Sequence, residues 1–245
     1  MLDAIEAVKE KWFWRARYCK NNGCSTATAI LPRALADGRI LSTPHMPPGK
    51  VALRDLIIID ADGNKLVKAT ASPTARRRCI RRSTKARADV QCILHYHPDE
   101  LIAVAASGQG IKVIANCGVH FYRGTPIYDS PILIRNPQLG DKVAATLGDR
   151  NRGAPARPRR HGRVERDLDT LLRLGLDLVR SARIQILCAP LGPVKTHSQE
   201  ECQQMVKGHG LPNANRRYID YYYTQKLSTD SRPDLTHEQE NLIAI

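Results

Sequence analysis

The chain has 245 residues, 42% of them hydrophobic, and a formal net charge of +14. This length suits one large domain or two small ones, and the hydrophobic content excludes a chain that is disordered throughout. No apolar run reaches the ~18 residues that a membrane helix needs, and the N-terminus lacks the basic start and apolar core of a signal peptide. We therefore expect a cytoplasmic protein that does not enter a membrane.

Hydrophobic periodicity predicts a mixture of helices and strands. In chain order, the predicted elements are a helix at 2–12, strands at 39–44 and 56–60, a turn at 60–64 with a paired strand at 65–67, a strand at 90–97, a helix at 98–106, a strand at 112–115, and helices at 137–147 and 167–187. From residue 228 the chain turns polar, so we expect one domain at 1–227 and a tail at 228–245. Because strands and helices mix without regular βαβ alternation, the arrangement is of the α+β type.

The cysteines and basic residues argue against further classes of protein. The seven cysteines include no Cys-x-x-Cys pair, which argues against a disulfide scaffold or a cysteine zinc site. Much of the positive charge lies in two stretches, with seven Lys/Arg at 74–87 and six at 150–163. Neither stretch contains an aromatic side chain on which a base could stack, so we do not expect nucleic acid as a partner.

The most informative short motif is the pair His95 and His97, at the end of the strand predicted at 90–97. Residues two apart on a strand point to one face, so the two imidazoles could hold one divalent cation at ~2.0–2.1 Å per bond. The alternative is two histidines that merely share a face, because His-x-His alone is a weak signal. The position favours the metal site, since Pro98 ends the strand there and sites are commonly placed at strand ends.

Four segments, at 41–44, 53–64, 87–98 and 124–129, resemble in their order the motifs of the class II aldolase/adducin family, and the likeness extends over roughly residues 1–225. The resemblance implies a three-layer α/β/α fold with a mostly antiparallel central sheet. It also implies a homotetramer whose site lies between subunits. The metal of the family is held by three histidines, and a glutamate acts as a ligand or proton shuttle.

Carried over by position, the resemblance makes His95 and His97 metal ligands. The position of the family glutamate is occupied by Arg76, so the catalytic residue is unknown. The third histidine should fall at Arg159, and His161, two residues away, is the candidate for the third ligand. The metal would be Zn, Mn, Fe or Co, because ligand type alone does not choose among them.

Other polar residues are candidates for substrate binding. Ser42 and Thr43 could hydrogen-bond a substrate carboxylate, or they could simply be a polar pair at a strand end. His120 falls in a region that borders the pocket in relatives. Tyr222, from the tyrosine-rich segment 218–223, could reach the site of a neighbouring subunit, although ordinary aromatic packing explains most of that segment.

The departures from the family pattern coincide with the two Arg-rich stretches. Permitted codons for 74–85 and 152–161, read in another frame, can restore the glutamate and the Gly-His-Gly motif, and residues 21–32 can likewise give a family-like substrate loop. We interpret this as compensated frameshifts; the alternative is a divergent and perhaps inactive relative. As the sequence stands, Arg76 and Arg159 would bring positive charge towards a cation, which predicts poor metal binding.

The resemblance is greatest to the aromatic-acid branch of the family, because His95-Tyr-His-Pro differs from the His-Thr-His-Ser of sugar-phosphate enzymes. It implies metal-dependent decarboxylation of a hydroxylated aromatic dicarboxylate, such as 3,4-dihydroxyphthalate, in aromatic-compound catabolism. Two alternatives stay open: a sugar-phosphate aldolase or epimerase of the same family, and a non-catalytic basic binding module.

Overall fold

The architecture is taken from a computed structural model that describes residues 28–31, 40–42, 53–60, 66, 92–130, 132, 136–147, 161–165 and 168–208. Its five strands form one sheet in which every pair is antiparallel, in the order β3-β2-β1-β4-β5. The strands are β1 (Thr28–Leu31), β2 (Ile40–Ser42), β3 (Ile57–Ile59), β4 (Cys92–Tyr96) and β5 (His161–Glu165). The histidine-bearing strand β4 therefore has a paired neighbour on both sides.

Four α-helices accompany the sheet in the described ranges: α1 (Asp99–Ala106), α2 (Pro137–Leu147), α3 (Leu168–Cys188) and α4 (Gln199–Gly208). Short 3-10 helices cover Leu53–Asp55, Asn116–Phe121 and Ala189–Leu191. The long helix α3 packs against β4, β5, α1 and the 3-10 helix at Asn116–Phe121, so it links the sheet to the other helices. No helix within these ranges combines the length and apolar character needed to cross a bilayer.

The sequence explains where these helices begin. Helix α1 follows Pro98 and carries Asp99 and Glu100 in its first turn, where negative charge complements the helix dipole. Helix α4 starts with a capping box, in which Ser198 Oγ accepts from the backbone N–H of Glu201 and Glu201 Oε2 accepts from the N–H of Ser198. Helix α3 buries a stripe of side chains at helical spacing: Leu171, Leu172, Leu174, Leu178, Val179 and Ala182.

The predicted fold class is confirmed, since the described residues form helices together with an antiparallel sheet. The predicted strands at 39–44, 56–60 and 90–97 and the helices at 98–106, 137–147 and 167–187 are also confirmed, with ends shifted by a few residues. The helix predicted at 2–12, most of the turn at 60–64 and the tail at 228–245 lie outside the described residues.

The strand predicted at 112–115 is wrong, because this segment belongs to no strand. Its apolar residues are buried in a different way: Val113 packs with Val119 and Cys202 in a small core beneath α4. Its backbone groups also have partners other than a strand. The N–H of Lys112 donates to Gln185 Oε1 at 2.9 Å, and the carbonyl of Val113 accepts from the N–H of His197 at 2.9 Å.

Candidate functional site

Strand β4 is fixed on one side by helix α3. The side chain of Tyr96 is fully buried, and its hydroxyl donates to the carbonyl oxygen of Gly175 at 3.0 Å. Leu94 is buried on the same side, so close to the helix that a Cβ added to Gly175 would lie 2.7 Å from Leu94 Cδ2. Because side chains alternate along a strand, position 95 belongs to the other face of the sheet. His97 follows the last residue of the strand.

The histidine pair lies where β4 ends and α1 begins. His95 is paired through its backbone with Thr28 of β1 and Gly162 of β5. His97 is half-buried and follows the strand directly, and the buried Pro98 separates it from α1. Neutral imidazole nitrogens at two such positions are chemically suited to a divalent cation. The pair therefore fits part of the ligand set that the sequence predicts.

Strand register relates Ser42 to this pair. Ser42 is paired with Ile30, Ile30 is paired with Ile93, and Thr28 is paired with His95. Directly paired residues share a face, and so do residues two apart on one strand. Positions 42, 93 and 95 therefore lie on one face, with position 42 two strands away from position 95, about 10 Å across the sheet. Ser42 itself is fully buried.

Strand pairing also indicates the face of the sheet on which position 161 lies. His161 is paired with Tyr96, whose side chain faces α3, and its neighbour Gly162 is paired with His95. Regular pairing thus gives position 161 the face of Tyr96, opposite to that of position 95. A ligand at 161 would require the chain to leave this pairing, and the role of His161 stays a prediction. Among the side chains that the structure describes, no three from His, Cys, Asp and Glu come together as a metal site.

Of the remaining predicted site residues, the structure describes His120. His120 is 4% exposed in the 3-10 helix Asn116–Phe121, which packs on α3 and α4, so it lies in the helical part of the molecule. Thr43, Arg76 and Tyr222 lie outside the described residues, as do the Arg-rich stretch at 74–87 and most of the one at 150–163. Their roles stay predictions.

One ion pair involves the first turn of α1, the helix that follows His97 and Pro98 in the chain. Arg183 of α3 donates from Nε to Glu100 Oε1 at 3.0 Å and also contacts this oxygen through Nη2, which ties α3 to the first turn of α1. Partial burial by itself raises the pKa of Glu100, but the hydrogen bond and charge of Arg183, together with a backbone hydrogen bond, outweigh it, and the net pKa is lowered. Glu100 is therefore held as a carboxylate. Sequence reasoning missed this pair because its members are 83 residues apart.

Comparisons with known proteins agree with this fold. The family model described as the Class II Aldolase and Adducin N-terminal domain matches residues 11–186. The 3,4-dihydroxyphthalate decarboxylase of Arthrobacter keyseri is 32% identical over 69 residues, which are 26% of this chain. The match spans 28% of the length of that curated relative.

Two solved structures illustrate the likeness in fold. The L-fuculose 1-phosphate aldolase of Glaciozyma antarctica PI12 superposes with a TM-score of 0.77 at 16% identity, covering 89% of this chain and 88% of that chain. An aldolase II superfamily protein from Pseudomonas syringae gives 0.76 at 16% identity, covering 91% and 90%. At these identities the likeness shows a shared fold and carries no information about the substrate.

Proposed function

The chain belongs to the class II aldolase and adducin family, and from that premise we propose that it is a metal-dependent carbon–carbon lyase that decarboxylates a hydroxylated aromatic dicarboxylate. A substrate such as 3,4-dihydroxyphthalate would place the protein in the breakdown of aromatic compounds. The observation that carries the proposal is the position of His95 and His97, at the end of a central strand of the family's sheet.

The metal would be held by His95 and His97, and we propose Zn, Mn, Fe or Co as the cation. When bound, a divalent cation supplies a Lewis acid for the negative charge that develops as carbon dioxide leaves. Ser42, on the same face of the sheet as position 95, would hydrogen-bond a carboxylate of the substrate. Thr43 beside it and Tyr222 would complete the substrate contacts, whereas the position of His120 in the helical part of the molecule does not support its predicted contact.

The choice of an aromatic substrate is supported by two features. The curated relative named above acts, by its name, on 3,4-dihydroxyphthalate. The sequence His95-Tyr-His-Pro also differs from the His-Thr-His-Ser of the family's sugar-phosphate enzymes. The fuculose-phosphate aldolases share the fold at low identity, so they do not favour a sugar phosphate over an aromatic acid.

We further propose that the protein assembles from several copies, as a homotetramer, and that the completed metal site needs a carboxylate at position 76. Arg76 occupies the position of the family glutamate and would repel a cation. Replacing it by Arg76→Glu should tighten metal binding and raise activity. Resequencing the gene across codons 74–87 and 150–163 tests the proposed frameshifts, and confirmation of the present reading in both stretches would exclude them.

The proposal is tested by measuring carbon dioxide release from 3,4-dihydroxyphthalate with metal-loaded protein, for the natural chain and for Arg76→Glu. We expect the protein to release carbon dioxide. A chelator should abolish this release, and His97→Gln should reduce it to the level seen with the chelator. His197→Gln, a half-buried histidine distant from β4 in sequence, is the matched control and should leave release unchanged. Retro-aldol cleavage of a sugar phosphate without carbon dioxide release would instead assign the aldolase function.

A further inference from the structure

A second site lies on the helical side of the molecule, away from the sheet. A pocket of about 360 Å³ opens between helix α3, the segment that precedes the 3-10 helix Asn116–Phe121, and the segment before α4. Its walls include Ile114 and Ile184, and Arg180 and His197 line it as well. We propose that this pocket binds a small organic monocarboxylate with an apolar body, such as a monocyclic aromatic acid.

The charge that would attract such an anion comes from Arg180. This side chain is exposed on α3, and no carboxylate among the described residues pairs with it. The two neighbouring arginines of the helix differ in this respect, because Arg173 lies 3.5 Å from Asp177 and Arg183 is paired with Glu100. The planar guanidinium of Arg180 is therefore available to hold a carboxylate through two parallel hydrogen bonds.

The opposite wall is held in place by the backbone. The N–H of His197 donates to the carbonyl of Val113, and the imidazole Nδ1 lies 4.0 Å from Glu201 Oε2. On the other side, Gln185 accepts from the N–H of Lys112 and donates from Nε2 to the carbonyl of Gly110 at 3.2 Å. These hydrogen bonds hold the chain segment that leads into the pocket wall, so the pocket is formed before a ligand arrives.

Size and charge together select the ligand class. Ligand pockets commonly measure ~300–1,000 Å³, so this one suits a small molecule. The aliphatic side chains of Ile114 and Ile184 are half-buried and offer an apolar surface to a ring. The carboxylate of Glu201 beside His197 disfavours a dianion, which is why a monocarboxylate fits better than inorganic phosphate.

A cysteine in the pocket provides a direct readout. Cys117 lines the pocket and is half-buried, whereas Cys188 is equally half-buried but lies outside the lining. The rate of alkylation by iodoacetamide is measured at both thiols by peptide mass spectrometry, with and without benzoate. At a benzoate concentration ten times its dissociation constant, the rate at Cys117 should fall about tenfold, and the rate at Cys188 should not change.

Two variants on the same helix separate charge recognition from packing. Arg180→Gln should abolish the protection of Cys117, and Arg183→Gln, which loses the same charge outside the pocket, should keep it. The neutral analogue benzyl alcohol should protect much less than benzoate. Absence of protection, equal protection by benzyl alcohol, survival of protection in Arg180→Gln, or protection by inorganic phosphate as strong as that by benzoate would each overturn the proposal. None of these outcomes bears on the metal-dependent activity, because His95 and His97 do not line the pocket.

Discussion

The hydroxyl of Tyr96 donates a hydrogen bond to the carbonyl oxygen of Gly175, 3.0 Å away, in the middle of helix α3. In the sequence, Tyr96 lies between the two histidines proposed as metal ligands. Its hydrogen bond therefore fixes one face of β4, and the opposite face would carry the metal. Glycine allows the close approach, since an added Cβ would lie 3.7 Å from the hydroxyl and 2.7 Å from Leu94 Cδ2. Helix α3 therefore sets the position of β4.

Replacing Tyr96 by phenylalanine removes the donor and keeps the ring. Because the bond is buried, we expect Tyr96→Phe to lower the free energy of unfolding by about 1 kcal/mol, measured by urea denaturation. Tyr122→Phe is the matched control, because the Tyr122 hydroxyl only accepts from Arg123 Nε in an exposed pair, and its effect should be near zero. Equal losses in the two variants would show that the buried bond contributes nothing specific.

Adding a methyl group at Gly175 tests the close approach. Alanine gains ~1 kcal/mol over glycine in a helix interior, but overpacking against the buried Leu94 costs ~1–3 kcal/mol. We expect Gly175→Ala to destabilise the natural chain and to stabilise a Leu94→Val background, in which the conflicting Cδ2 atom is absent. Urea denaturation of the four proteins in this double-mutant cycle gives the coupling. Stabilisation in both backgrounds would mean that Leu94 does not oppose the methyl group.

Some of this arrangement is predictable from sequence and some is not. Strand β4 and helix α3 follow from apolar periodicity, a local property that packing preserves. Strand register is not local, so the pairing of His161 with Tyr96 could not be foreseen. Strand β5 was missed because it reads His-Gly-Arg-Val-Glu. Among the described strands it pairs with β4 only, so it lies at the edge of the described sheet and its sequence needs no continuous apolar run.

Three further features differ in how far the sequence predicts them. The capping box of Ser198 and Glu201 is a local sequence signal for the start of α4, an element that the apolar periodicity did not predict. The pocket of Arg180 and His197 was not readable, because it joins segments far apart in the chain. The apolar residues at 112–115 predicted a strand, whereas the side chain of Gln185 supplies one of the partners that a neighbouring strand would have supplied.

Gln185 is therefore expected to stabilise the molecule through the hydrogen bonds of its buried side chain. It is 7% exposed, and its amide serves both Lys112 and Gly110. Gln185→Leu leaves these two backbone groups without that partner and should cost about 1–3 kcal/mol in the free energy of unfolding. Gln204→Leu on the exposed side of α4 is the control, with little change expected. A small effect in Gln185→Leu would indicate that water replaces the amide.

The pair of Glu100 and Arg183 predicts a dependence on pH. The folded-state pKa of Glu100 is lowered, so its contribution is complete above the unfolded pKa of about 4.3 and is lost as pH falls through the lower folded value. Because Arg183 is largely exposed, Glu100→Gln should cost only about 0.5 kcal/mol at pH 7. The difference between the two proteins should shrink steadily below pH ~4.3. A difference that is constant from pH 7 to pH 3 would contradict the ion pair.

The most direct test of the metal site is a cobalt titration followed by visible absorption, with the natural chain, Arg76→Glu, His95→Gln, His97→Gln and His197→Gln. One cobalt ion should bind per chain, more tightly in Arg76→Glu than in the natural chain. Loss of either strand histidine should weaken binding by about tenfold or more, while His197→Gln should have no effect. Binding that survives unchanged in His95→Gln and His97→Gln, or that is absent from both the natural chain and Arg76→Glu, would contradict a metal held by this strand.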